Sequence, residues 1–127
     1  MKAAVYYETG APEVFRYEEV PDPQVGPGDV LIDVEAVSIE GGDTLNRLGG
    51  DLARVPHVVG YQAAGTVAAV GTDVRGFAVG DRAVTVGLDG SHAERRATPE
   101  GFVWKETRKP RRSFPFAGMA PGPASAA

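Results

Sequence analysis

A chain of 127 residues fits one domain comfortably and two poorly, and 43% hydrophobic with 24% charged residues is the balance of an ordinary globular protein. The absence of cysteine excludes disulfides, thiolate catalysis and every cysteine-containing zinc site, and leads us to expect a cytoplasmic protein. A net charge of −4 hides a local +4 over residues 105–112, which leaves −8 on the rest and excludes an evenly basic, nucleic-acid-coating surface.

The segment Met1–Tyr7 turns polar too quickly for a signal peptide, and no run approaches eighteen apolar residues, so no membrane span is expected. Lys2–Tyr7 reads as an opening strand, ended by the turn Glu8-Thr9-Gly10-Ala11-Pro12. Phe15–Val20 is a second strand, closed by Pro21-Asp22-Pro23, because proline has no N–H for a ladder. The turn Gly26-Pro27-Gly28-Asp29 introduces Val30–Val37, whose alternation puts Val30, Ile32, Val34 and Ala36 on one apolar face. Gly42–Leu48 suits one or two helical turns, with Asp43 near the amino end complementing the helix dipole and Gly49-Gly50 stopping it. Gly65–Val70, Arg82–Val86, Ala93–Ala97 and Phe102–Trp104 are further strands at regular spacing. With Gly 17 and Pro 10 supplying turns, the fold class is mostly β, a partly open barrel or a sandwich, with one or two short helices.

Beyond residue 105 the character changes. Glu106–Arg112 is basic and broken by Pro110, without aromatic interleaving, so it reads as a solvated tail rather than a nucleic-acid patch. Ala117–Ala127 is rich in Ala, Gly and Pro and cannot bury enough apolar surface to offset its ordering entropy. The expectation is a domain over 1–105 and a disordered or irregular tail over 106–127, ordered only where Phe114 and Phe116 find a groove.

Pro56-His57-Val58-Val59-Gly60-Tyr61-Gln62-Ala63-Ala64-Gly65-Thr66-Val67-Ala68-Ala69-Val70-Gly71 resembles the signature segment of the medium-chain dehydrogenase/reductase superfamily. Three further segments fall where that family has them: Gly26–Ile32, Gly76–Ala83 and Gly90–Glu94. The resemblance covers residues 1–105 and is nearest to the zinc-free quinone oxidoreductases. It implies a GroES-like distorted barrel whose open side forms the substrate wall of a cleft. It also implies a following nucleotide-binding domain, of which Phe114–Met119 resembles the opening. Independently of the resemblance, Gly60, Gly65 and Gly71 sit where strands must bend or approach another backbone.

In the zinc-dependent relatives a cysteine, a histidine and a glutamate stand where this chain has Glu40, Tyr61 and Gln62. A phenol and an amide are poor zinc ligands, and one carboxylate alone does not make a site, so the resemblance implies no metal. His57 and His92 share no ligand spacing and read as surface or hydrogen-bonded residues. No catalytic residue is assigned; the resemblance places Glu40, Asp43, Thr44, Arg47, Tyr61 and Gln62 along the cleft. Asp43 is expected to cap the helix and pair with Arg47 at i,i+4.

The implied function is the amino-terminal domain of an NADPH-dependent quinone or enone oxidoreductase. The chain alone is expected to be inactive and to bind NADPH weakly, since the pyrophosphate-holding glycine-rich turn is not found after residue 105. The expected partner is a small quinone or enone acceptor, with no nucleic acid and no membrane, and a homo-oligomer left open. Two other readings stand beside it: a non-catalytic GroES-like binding or assembly module, and a zinc-type alcohol dehydrogenase relative that lost its ligands.

Overall fold

The computed structural model describes residues 1–107. The expectations for the tail and for Phe114, Phe116 and the linker to a second domain lie outside those residues.

Eight strands and one α-helix follow one another as β1 (Lys2–Tyr6), β2 (Arg16–Glu19), β3 (Asp29–Ser38), α1 (Gly41–Leu48), β4 (His57–Val58), β5 (Gln62–Val70), β6 (Arg82–Val86), β7 (Arg95–Pro99) and β8 (Val103–Lys105). They form a three-stranded sheet in the order β2-β1-β4 and a five-stranded sheet in the order β7-β3-β5-β6-β8. All pairings are antiparallel. Residues 91–94 stitch the sheets together: Ala4 N–H donates to the His92 carbonyl at 2.8 Å, and Val34 N–H to that of Glu94 at 2.9 Å. The result is mostly β, as the spacing of short strands predicts, and a half-closed barrel, as the family resemblance implies.

The core of the larger sheet is Val30, Ile32, Val67, Val74, Ala83 and Val103, with Val70 and Phe77 packed against it. The alternation on β3 holds for Val30 and Ile32, both fully buried, and for half-buried Val34, and then fails. Register shifts at Leu31/Ile32 and Val34/Ala36 leave first Ala68 of β5 and then Glu35 of β3 without a register partner, and past the second Ala36 lies exposed where the alternation predicts core. A bulge of this kind bends the strand and redirects the side chains after it.

The glycines of β5 and its borders act through proximity. A Cβ at Gly65 would stand 1.9 Å from the Asp33 carbonyl oxygen, and one at Gly71 would stand 2.2 Å from two carbonyl oxygens. Gly60 combines a φ of +108° with side chains of Ser91 and His92 in the space a Cβ would take. The turn before β6 also follows its sequence logic, because Asp81 accepts a hydrogen bond from the Ala78 N–H at 3.0 Å.

Two elements escape the sequence pattern. The strand β4 is two residues long, and β5 begins at Gln62 rather than Gly65 because Gln62, Ala63 and Ala64 pair with both β3 and β6. Two short 3₁₀ turns, Pro12–Val14 and Glu100–Phe102, replace expected loop and strand.

Candidate functional site

Helix α1 leaves the end of β3, and the sequence-predicted residues fall into two groups: Asp43, Thr44 and Arg47 line one cavity, while Glu40 and Gln62 at Ser38 and Tyr61 at Asn46 are not in its lining. The amino terminus of α1 is closed by its own residues. The Glu40 N–H donates to Asp43 Oδ2 at 2.9 Å, and the Asp43 N–H to the Glu40 carbonyl at 3.1 Å. Asp43 is therefore a cap, as its position predicts.

The expected Asp43–Arg47 ion pair is not found among the described residues. Arg47 instead points back under the helix, donating from Nε to the Gly10 carbonyl at 3.2 Å and lying 5.5 Å over the Phe15 ring. Asp43 is committed to the helix start, and the aromatic face and carbonyl offer the guanidinium a closer site. Its second oxygen, Oδ1, is buried with no partner in the protein.

Glu40 and Gln62 meet at Ser38. The Ser38 hydroxyl lies 3.2 Å from Glu40 Oε1 and 3.1 Å from Gln62 Oε1, since Ser38 and Gln62 are register partners across β3 and β5. Tyr61 is fixed from two sides. Its ring fills the space a Cβ at Gly42 would occupy, only 2.2 Å from Tyr61 Cε2, and Asn46 Nδ2 donates to its phenolic oxygen at 2.6 Å. With a donor already on that oxygen, the phenolic O–H is free to donate to a ligand. Thr44, exposed on α1, lines a cavity of about 300 Å³ with Asp43, Arg47, Phe15, Ile39 and His92.

Ser38 and Asn46 were missed in the sequence pattern. Ser38 becomes visible only once the β3–β5 register is known, and Asn46 only once α1 is seen to lie on Tyr61. His92 conforms to expectation, with Nε2 lying 3.3 Å from the Ser38 carbonyl. His57 does not. It is 8% exposed, tilted against the Tyr6 ring at 4.8 Å, and its Nδ1 has no partner in the protein. Burial holds its imidazole below the ordinary value, with Asp89 acting in the opposite sense and Arg54 in the same one. Tyr6 is likewise shut in with an unpartnered hydroxyl, and burial first, then nearby Tyr61, raises its phenol above the usual value.

The donor set does not fit zinc. Among the described residues no three His, Cys, Asp or Glu side chains gather into a group that could hold a metal ion. Glu40, Tyr61 and Gln62 offer one carboxylate, a phenol and an amide, each engaged with Ser38 or Asn46. Nor does the α1 terminus suit a pyrophosphate, since Asp43 occupies it with a carboxylate and Tyr61 fills the space beside Gly42. What the arrangement can do is orient a neutral polar head and donate a hydrogen bond to its oxygen. Elsewhere, no described helix is long and apolar enough to cross a membrane.

Comparison with known proteins gives a consistent picture. The profile of the alcohol dehydrogenase GroES-like domain matches residues 26–109. Sorbitol dehydrogenase of Bacillus subtilis (strain 168) is 41% identical over 86 residues, 65% of this chain and 24% of that protein. The quinone oxidoreductase of Pseudomonas syringae pv. tomato DC3000 superposes with a TM-score of 0.82 at 31% identity, over 85% of this chain and 34% of that one. A mycobacterial protein solved in complex with NADPH superposes with a TM-score of 0.78 at 36% identity, over 86% of this chain and 34% of that one. The chain thus spans about a quarter of the first of these relatives and about a third of the two structures.

Proposed function

The chain belongs to the alcohol dehydrogenase GroES-like domain family, and on that premise we propose that it is the amino-terminal, acceptor-side domain of an NADPH-dependent quinone or enone oxidoreductase of the medium-chain dehydrogenase/reductase superfamily. One observation carries the proposal. Tyr61, with Asn46 donating to its oxygen at 2.6 Å, keeps its O–H for a ligand, next in sequence to the Gln62 that meets Glu40 at Ser38.

Reduced nicotinamide, held by a further domain, would supply a hydride. The work left to this chain is orientation and stabilisation of the charge that develops on the acceptor oxygen. Tyr61 is placed to donate to that oxygen, and a preset donor needs no reorganisation as charge builds. The Glu40 carboxylate, held with Gln62 at Ser38, would disfavour an anionic acceptor head. Asp43 holds the start of α1 and so positions Glu40. The likeness to the Pseudomonas syringae quinone oxidoreductase supports the quinone reading, and the likeness to the mycobacterial protein complexed with NADPH supports the cofactor.

Amide chemical-shift titration of the labelled chain with menadione or cyclohexenone, paired with a fluorescence titration of NADPH, tests this. The expected result is acceptor-induced shifts centred on Ser38, Tyr61 and Gln62, abolished by Tyr61→Ala, and no NADPH binding at micromolar concentration. Micromolar NADPH affinity, or acceptor shifts that avoid this cluster, would refute the reading.

A further inference from the structure

Away from α1, a cavity of about 700 Å³ opens between β4, the loop after β6 and β7. This is the size of pocket that holds small organic ligands. Its distinguishing wall residue is Arg96, 5% exposed. The guanidinium reaches this place because residue 87 is glycine: a Cβ there would stand 2.2 Å from Arg96 Nη2. It donates from Nη1 to the Tyr61 carbonyl at 2.9 Å and from Nη2 to the Asp89 carbonyl at 2.7 Å. Both partners are neutral, and they use two of the five N–H groups a guanidinium carries.

Among the described residues no carboxylate forms an ion pair with Arg96. The nearest candidate in the cavity, Asp89, lies instead 4.0 Å from Arg54 Nε, which also lines the space. A buried cation without a counter-charge is costly unless something of opposite sign joins it. The remaining wall is mixed: Arg54, Asp89 and Thr98 share it with the apolar Val58, Leu88 and Phe102, the last two 84% and 54% exposed. Apolar side chains left open to solvent around a desolvated cation are the two halves of one recognition chemistry.

We propose that this cavity is a binding site for a small organic monocarboxylate, its carboxylate on Arg96 and its apolar body against Leu88 and Phe102. The site stands on different residues from the acceptor cleft and does not depend on that reading.

The test is an amide chemical-shift titration of the chain with hexanoate and, separately, with its neutral isostere hexanamide. Hexanoate is expected to saturate shifts at Leu88, Asp89, Gly90 and Thr98, with an affinity about tenfold above that of hexanamide, the scale of a hydrogen bond to a charged group. Because Arg96→Gln is able to unfold the chain, Leu88→Asp at an exposed position is the second probe. It is expected to weaken hexanoate at least several-fold while the remaining spectrum stays native. Equal affinity for the two ligands, no saturation by hexanoate, or indifference to Leu88→Asp would each overturn the proposal.

Discussion

At the end of the molecule built by β3, β5, β6 and β8, the buried cluster of Val30, Ile32, Val67, Val74, Ala83 and Val103 is wholly apolar. At the end where α1, β1 and β4 meet, burial takes in Tyr6, Asp43, His57 and Ser91, each with a side-chain atom that finds no partner in the protein. Thr85, register partner of Ala63, marks the border. The first end gains stability from close packing and removal of apolar area from water. The second gives stability away, since an unpaired buried polar atom costs about 1–3 kcal/mol. Ends that break the packing rules in this way are where function is found, and the candidate cleft lies at this one.

The contrast is open to direct attack. The largest expected effect is Gly65→Val at the apolar end, where even a Cβ would meet the Asp33 carbonyl at 1.9 Å. Pushing β3 and β5 apart should cost more than about 4 kcal/mol, and the variant should show no cooperative urea transition. Next comes Ile32→Ala, which empties a fully buried site and should lower unfolding free energy by about 3 kcal/mol.

At the polar end the sign should reverse. Tyr6→Phe removes a hydroxyl that has no partner, so stability should rise by about 1 kcal/mol in the same urea assay. A loss of similar size would show that the hydroxyl is paired in solution and would erase the contrast.

The gentlest effect is a slope. Burial sets His57 below its ordinary value of 6.5 in the folded chain, so the unfolded state binds protons first as pH falls. Stability should hold above 6.5 and decline as pH drops towards the folded value, and His57→Phe should flatten that decline. Chemical unfolding across this range measures it.

Much of the fold was legible because its signals are local. Gly26-Pro27-Gly28-Asp29 and Gly80-Asp81 announce turns by residue type, and the strand β6 falls on Arg82–Val86 as its pattern predicts. The alternation on β3 misled after Val34, because a bulge answers to the partner strand and leaves no mark in its own sequence. The same holds at the site. The Asp43 cap is a three-residue affair and could be read directly, whereas Arg47 chose Gly10 and Phe15, residues more than thirty positions away. Arg96 reads in sequence as one of two arginines on a short strand. Its burial depends on the space left by the glycine at position 87 and on the Tyr61 and Asp89 carbonyls that receive it.

By itself, then, the sequence determined the β-rich class, the short helix over Gly42–Leu48 with Asp43 as its cap, and the glycines that let backbones touch. It did so because turn chemistry, capping and close approach depend on the residue in place and a few neighbours. Only the tertiary structure decided which polar groups lost their water: Tyr6, His57 and Arg96 are ordinary surface-compatible residues until other strands cover them. Desolvation is a property of everything packed around a group, and no window of sequence contains that.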